Sequence, residues 1–414
     1  MTDPVPASLL RERPFVQFWI ARFLTTNALH MQAVAVGWQM YDLTGNPLDL
    51  GLVGLVQFVP ALLLVLVAGH VADRHDRRRV VAIAQAAAAL ASALLTVGTA
   101  TGFLSREWIL ATVFVIGAAR AFESPTISAL LPALVPLPLL TRAVAGATAA
   151  GQTGLIIGPA IGGLLYAISP IVVYTTCCAL FLTGSVLVFT LRTSPHQVAR
   201  EPITLARLFA GIAFIRHNQI VLGAIVLDLF AVLLGSAIAL LPIFARDVLH
   251  TGPWGLGVLR ASHGAGALVV SLLLTQISFN RRVGRVIFIA VAGFGSAIII
   301  FGLSSSLIVS AAALVMLGAS DMISVVSRQT LIQLHTPDDM RGRVNAVNSL
   351  FVVASNQLGD FRAGLMATWI GAVPAVLVGG IGTLVVVALC RRLFPELAQV
   401  DRFEHQLRDT GAGP

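Results

Sequence analysis

A chain of 414 residues with 57% hydrophobic and 11% charged side chains cannot cover itself with a water-compatible surface, since soluble domains carry about a quarter charged residues. Its formal charge of +8 and pI near 10.8 would suit a nucleic-acid partner, but the positive residues sit in short loops between apolar runs and form no single soluble face, so nucleic acid is excluded. The composition fits lipid as solvent, where every backbone N–H and C=O must be paired internally, which leaves helices or a closed barrel.

A barrel would alternate in polarity over segments of about 10 residues. The apolar runs here are longer, as at 48–71, 80–101, 171–191 and 372–390. Such runs match helices crossing about 30 Å of hydrocarbon at about 1.5 Å per residue. The expected fold is an all-α membrane protein with spans at 14–42, 48–71, 80–101, 107–131, 142–167, 171–192, 219–247, 254–278, 284–303, 307–333, 342–369 and 372–391, which is twelve transmembrane helices in two six-helix halves. No cleavable signal is read before the first span, because Pro4 and Pro6 interrupt the start and the span is too long for a signal core.

All 27 basic side chains are arginine. Arg11 and Arg13, Arg74 with Arg77, Arg78 and Arg79, Arg142, the interval 192–216, the interval 281–285, Arg341 with Arg343, and the tail 391–408 fall on one side of the predicted spans; Arg106 and Arg246 fall on the other. The positive-inside rule therefore places both termini in the cytoplasm. Cys177, Cys178 and Cys390 lie in apolar runs without metal-ligand spacing and read as small core residues. The long polar interval splits the spans six and six: an N-terminal half at 1–192, a linker at 193–218, a C-terminal half at 219–394 and a tail at 395–414.

The halves look duplicated. A shift of 201 positions sets Gly117-Ala118-Ala119-Arg120 on Gly318-Ala319-Ser320-Asp321, Pro136 on Pro337, Arg142 on Arg343, Gly158 on Gly359 and Gly163 on Gly364; a slightly different shift pairs Asp42 with Asp247. Repeats of this kind place a substrate site near the midplane.

Between spans two and three the chain reads Gly69-His-Val-Ala-Asp73-Arg74-His-Asp76-Arg77-Arg78. Gly69 would permit close helix contact, Asp73 offers a carboxylate to a helix N-terminus or an arginine, and the basic cluster anchors the loop at the membrane surface. Asp76 stands where a second glycine would complete the pattern, and aspartate tolerates the left-handed conformation better than most residues. Span five carries Gly154-Leu-Ile-Ile-Gly158-Pro159-Ala-Ile-Gly162-Gly163, small residues four apart that let helices approach closely, with a Gly-Pro pair that can bend the helix.

Charges within spans cost about 2.5–3.5 kcal/mol each at a helix centre unless partnered or wetted. Arg120 and Glu123 share a helical face and can pair. Asp321 is the repeat counterpart of Arg120, with Arg328 two turns on; Asp360 and Arg362 follow Asn356 and Gln357; Arg22 and Asp228 lie at nearly equivalent depths in the two halves. For Glu123, Asp228, Asp321 and Asp360 the choice stays open between structural ion pairs and proton or substrate handling. Arg22 and Arg120 suit an anionic or catecholate group, or static pairing. His30 and His263 read as packing residues, and Asp42 and Asp247, at span ends, as structural.

The Gly69–Arg78 loop resembles the signature loop of the major facilitator superfamily, and the Gly-Pro-x-x-Gly-Gly ending resembles the motif of its antiporters. The stretches Leu240-Leu241-Pro242, Gly252-Pro253-Trp254-Gly255, Thr336 to Val344 and Ser355 to Gly364 look like the branch that holds the bacterial enterobactin exporter and related secretion-type drug-efflux proteins. The resemblance covers roughly residues 10–402. It implies a monomer in a bacterial inner membrane that exports a small amphipathic molecule, a siderophore of the enterobactin type, by alternating access, driven by protons, with the lipid bilayer as its surroundings. It also implies that Asp73 contacts the start of span eleven around Arg341 and Arg343. Multidrug or macrolide efflux is the alternative, with lipid translocation or metabolite import behind it. The absence of lysine removes a Walker A loop, and the sequence has neither an H-E-x-x-H helix nor a G-x-S-x-G elbow, so no enzyme, cofactor or metal is expected.

Overall fold

The computed structural model describes residues 9, 12–192, 205–276 and 282–400, and all regular structure among them is helical. Arg11, Arg281, the middle of the predicted linker (193–204), the tail beyond Val400 and the side chain of Asp73 lie outside the described residues.

The elements are α1 (Arg13–Thr44), α2 (Pro47–Arg74), α3 (Arg77–Ala100), α4 (Arg106–Leu130), α5 (Leu140–Ile168), α6 (Pro170–Phe189), α7 (Leu205–His217), α8 (Gln219–Gly235), α9 (Leu241–Ile243), α10 (Pro253–Gln276), α11 (Val283–Leu303), α12 (Leu307–Leu334), α13 (Asp338–Ile370), α14 (Ala372–Leu393) and α15 (Pro395–Gln399). Local chemistry sets their ends. Asn46, Asp76, Ser105, Ser169 and Asn218 each accept a hydrogen bond from a backbone N–H of the helix they precede. Gly45 closes α1 at φ 61°, a left-handed geometry for which glycine bears no steric cost.

By length and composition, ten segments among the described residues can cross a membrane. The remaining two of the twelve expected spans are α1 and α13, 32 and 33 residues long, which carry the buried polar side chains Asn27, Gln32 and Gln39, and Asn348 and Ser355. Large apolar side chains point outward along the bundle, among them Leu63, Ile83, Ile168, Ile308 and Trp369, each at least 69% exposed. Water would not tolerate so extensive a sheath, whereas hydrocarbon matches it.

Two local features depart from the sequence reading. Span seven is interrupted: α8 ends at Gly235, and the chain passes through a 3-10 turn (Ile238–Leu240), the short α9 and a π turn (Phe244–Val248). The Gly235-Ser236 pair and Pro242 lie at the break, where weak helix propensity and a missing backbone donor lower the cost of leaving the helix, although Pro60, Pro125 and Pro159 are accommodated inside α2, α4 and α5. The C-terminal part of the linker is helical, because α7 has an apolar face, with Ile215 buried and Ile212 and Phe214 packed beside Val221 and Val347.

The chain forms two compact units. The first is Met1–Ile203 with Leu241–Ala261. Within it α3 packs along α6, α1 along α5 and α2 along α4, around a core of Phe15, Phe18, Val81, Ile127, Leu130 and Val188. The second is Thr204–Leu240 with Ser262–Pro414. There α11 packs against α12 and α14, and α8 against α13 and α14, around Leu227, Ile287, Phe288, Val291 and Leu331.

The internal repeat has a counterpart in packing. Gly117 of α4 lies against the Gln57 carbonyl of α2, and Gly318 of α12 lies against the His263 carbonyl of α10, so a β-carbon at either position would meet backbone. Gly117→Val and Gly318→Val should each destabilise by about 1–3 kcal/mol, the usual cost of overpacking. Thermal unfolding of the detergent-solubilised protein should therefore begin at lower temperature for both; an unchanged transition in either would show that the neighbouring helix gives way.

Candidate functional site

The interior charges collect at two cavities, one in each unit. In the first, α1 brings Arg22, Thr26 and His30 at spacings of four, and α4 brings Arg120, Glu123 and Ser124. They line a space of about 200 Å³ together with apolar Leu29, Ile116, Ile127 and Phe181. Arg22 donates from Nε to the Ala147 carbonyl at 3.0 Å, and Glu123 accepts from the Gln85 amide at 2.8 Å. Glu123 also attracts Arg120 and Arg22 electrostatically. Arg120 itself makes no hydrogen bond and no ion pair within 4 Å among the described residues, so its expected partnership with Glu123 acts across the cavity. The result is a guanidinium with its donors turned toward open space.

The second cavity, about 110 Å³, is lined by Asp228, Ser236, His263, Asp321, Arg328 and Asn356 among others. Arg328 is 1% exposed; it pairs with Asp228 at 3.1 Å and donates to Asn348 at 2.8 Å. Asp321 lines the same cavity without an ion pair to Arg328 within 4 Å, so Asp228 is the contact counter-ion. Beside them Asp360 accepts from the Ser236 hydroxyl, while Arg362 donates to the Leu234 carbonyl at 2.5 Å and to the Met366 sulfur at 2.9 Å. The repeat positions thus line corresponding cavities with opposite charge: Arg22 and Arg120 in one, Asp228 and Asp321 in the other.

In the signature loop, only His75 and Asp76 separate α2 from α3. Asp76 adopts extended backbone (φ −60°, ψ 112°) as the cap of α3, so the left-handed turn anticipated there does not form. Its carboxylate takes the Arg78 amide at 3.0 Å and the Arg78 guanidinium at 2.7 Å. Arg78 also reaches the Leu191 carbonyl at 2.6 Å, and Arg77 the Ala129 carbonyl at 3.0 Å, fastening the loop to neighbouring helices. The space where a Gly69 side chain would stand is open, so the close helix contact expected of Gly69 is not made here. Arg74 is exposed. In the other unit Arg341 pairs with Asp338 at 2.5 Å, and Arg343 donates to the Met340 sulfur at 3.2 Å.

The glycines of α5 mark close approaches. A β-carbon at Gly154, Gly158 or Gly162 would come within 2.7, 2.8 and 2.7 Å of Thr26, His30 and Met31 of α1. Gly163 faces the Pro253 carbonyl and Gly257 of α10, and the Pro159 carbonyl lies against Gly257. Nearby, sequence reasoning missed a latch. Arg246 pairs with Asp42 at 2.9 Å, its guanidinium stands 5.6 Å from the Tyr41 ring centroid, and the Tyr41 hydroxyl donates to Asp247. The repeat relation of Asp42 to Asp247 was the available signal. Gln85 was missed too, although a lone amide in the alanine-rich α3 is conspicuous.

Long apolar helices and charged interior cavities among the described residues, with a family model that matches nearly the whole chain, define a polytopic membrane transporter of the major facilitator superfamily. Solved structures support the fold. A bacterial homologue of the lysosomal transporter Spinster aligns with TM-score 0.75 at 13% identity, covering 95% of this chain and 99% of that one. The nucleoside transporter NupG aligns at 0.74 and 15% identity, covering 92% and 99%. Within the superfamily, the chain belongs to the transmembrane secretion effector family, whose model matches residues 5–409. Its curated relatives include the enterobactin exporter EntS of Citrobacter koseri, 26% identical over 94% of each chain, and that of Escherichia coli O6:K15:H31, 26% identical over 98% of each.

Two expectations follow from this geometry. Asp228→Asn leaves Arg328 buried without its counter-ion and should cost about 3–5 kcal/mol, and Arg328→Met on top of it should recover part of the loss; a fully additive double variant in thermal unfolding would contradict the pairing. Around Asp76, the Arg78 hydrogen bonds hold the carboxyl below its ordinary range. Its stabilising effect is therefore complete at pH 7 and fades as pH falls through that lowered value. Asp76→Ala should cost about 1 kcal/mol at neutral pH, and the gap in unfolding temperature between variant and parent should close in acid.

Proposed function

We propose that the protein is a proton-driven exporter of a small amphipathic anion, a siderophore of the enterobactin type, working as a monomer in a bacterial inner membrane with both termini in the cytoplasm. The observation that carries this reading is the Arg120 guanidinium, without a contact partner and beside Arg22, at a cavity inside a lipid-solvated bundle. Glu123 offsets only one of the two arginines that line this cavity, so a positive charge is left for an anionic substrate to balance. The fork of guanidinium donors suits paired oxygens, which catecholates and carboxylates both present. The names of the curated relatives point the same way.

Asp228, paired with Arg328, and Asp321 at the same cavity supply the proton site. One guanidinium balances one carboxylate, so a single proton makes the cluster neutral, and its loss leaves one net negative charge to be solvated. Glu123, held by Gln85 between two arginines, and Asp360, held by Ser236, are the other acids to weigh. Conformational switching is assigned to the loop of Gly69, Asp73, Arg74, Arg77 and Arg78 with Arg341 and Arg343. The close-packed Gly154, Gly158, Pro159, Gly162 and Gly163 keep α5 tight against its neighbours. Multidrug or macrolide efflux is the second reading, favoured by Leu29, Ile116, Ile127 and Phe181 in the same cavity as Arg120.

The test is secretion by an iron-starved bacterium that lacks its own catecholate exporter, comparing siderophore outside and inside the cells. The intact protein should restore secretion in a manner abolished by an uncoupler. Arg120→Gln should lower the rate at least about tenfold, the worth of one charge-assisted hydrogen bond. Asp228→Asn, Asp321→Asn, Glu123→Gln and Asp360→Asn, each checked for insertion, would identify the coupling acid. Full insertion with no secretion would sink the catecholate assignment and turn attention to a drug panel.

A further inference from the structure

A third cavity lies away from the interior charges, on the surface of the first unit where α2, α3 and α4 meet. It is an apolar trough of about 560 Å³. Its floor and walls come from Val80, Ile83, Ala87, Phe114, Ala118 and Phe122. The sequence explains the hollow. Alanines at 84, 87, 118 and 119 remove side-chain volume along one strip of α3 and α4, while Ile83 and Phe114 stand out beside it, 69% and 44% exposed. In a bilayer such a depression must be filled by something apolar, because a void forfeits dispersion contacts and water finds no polar partner there.

One end of the trough is not apolar. His75, Asp76 and Arg79 form its rim. Asp76 is occupied by Arg78 at 2.7 Å, and Arg77 and Arg78 are further spent on the Ala129 and Leu191 carbonyls. Arg79 is different: it is exposed, and among the described residues it makes no hydrogen bond or ion pair. Arg74 is exposed at the same end of α2, and the loop from 73 to 79 holds four arginines against two aspartates. A slot for an alkyl chain that ends at an exposed guanidinium, attracted by Asp76 but not hydrogen-bonded to it, is complementary to a molecule with an apolar tail and an anionic head.

We propose that this trough is a binding site for one anionic diacyl phospholipid, with an acyl chain along α3 and α4 and the phosphate at Arg79. Basic clusters beside membrane helices attract anionic headgroups in this manner. The site is independent of the transported substrate: apart from Ala119, none of its lining residues borders the Arg22–Glu123 cavity.

The test uses the full chain, delipidated in mild detergent and titrated with phosphatidylglycerol or phosphatidylcholine, with bound lipid counted by native mass spectrometry. The parent protein should retain one phosphatidylglycerol in preference to phosphatidylcholine. Arg79→Gln, a surface change that leaves the fold alone, should weaken that retention about fivefold, the worth of one arginine near a headgroup. Ala118→Trp fills the trough and should weaken it as well, while excess inorganic phosphate should compete poorly. Equal retention by parent and both variants would overturn the site. Equal binding of phosphatidylcholine would make the occupant an uncharged lipid, and full displacement by phosphate would reduce the site to an anion hole without a chain; either outcome rejects the proposal as stated.

Discussion

The buried pair of Arg328 and Asp228 shows the constraint under which the whole protein is organised. A charge removed from water must find a counter-charge, a hydrogen-bond partner or a wet cavity, and in a chain with 11% charged residues few partners are available. At Arg328 all but a sliver of the side chain is enclosed, and Asp228 at 3.1 Å with Asn348 at 2.8 Å carries the compensation. Interior charges also border open space: Arg120 and Glu123 line one cavity, and Asp321 lines the other beside the Asp228–Arg328 pair. Membrane helices can otherwise be packed from alanine, glycine and leucine alone.

Gross architecture was legible in the sequence because lipid imposes a simple rule. Runs of about 20 apolar residues must be helices, and the helices form where those runs lie. The difficulties were local. Composition alone recovers ten spans, since α1 and α13 hold Arg22, Asn27, His30 and Gln32, and Asn348, Asp360 and Arg362; counting charge clusters instead of hydropathy kept them in. The break after Gly235 was hidden because the surrounding residues are uniformly apolar, and hydropathy is blind to backbone geometry. The helix α7 was hidden for the reverse reason, its short apolar face lying within an arginine-bearing interval.

Site residues were legible in kind but not in partnership. That Arg120, Glu123, Asp228, Asp321 and Arg328 are interior charges in need of compensation follows from their position in spans. Which carboxylate meets which arginine does not, because the pairing joins helices distant in sequence: Asp228 and Arg328 are a hundred residues apart, and the Gln85 amide that holds Glu123 comes from another helix. The latch of Tyr41, Asp42, Arg246 and Asp247 escaped for the same reason, spanning more than two hundred positions. Asp76 shows a different failure. A pattern was matched by position, and the missing glycine suggested a left-handed turn, whereas the short aspartate side chain was better used as a helix cap.

The duplication gives these particulars a common cause. Gly117 and Gly318 still perform one task in both halves, because a close helix crossing admits only hydrogen as a side chain and substitution there would push backbone apart. Cavity-facing positions are under no such steric rule. At the same repeat position one half keeps Arg120 and the other Asp321, and at similar depth one keeps Arg22 and the other Asp228. The two cavities therefore differ in their balance of charge: Arg22 and Arg120 with Glu123 line one, and Asp228 and Asp321 with Arg328 line the other. Packing that tolerates only glycine at Gly117 and Gly318 fixes the helix crossings, while the cavity-lining positions are free to carry either sign of charge.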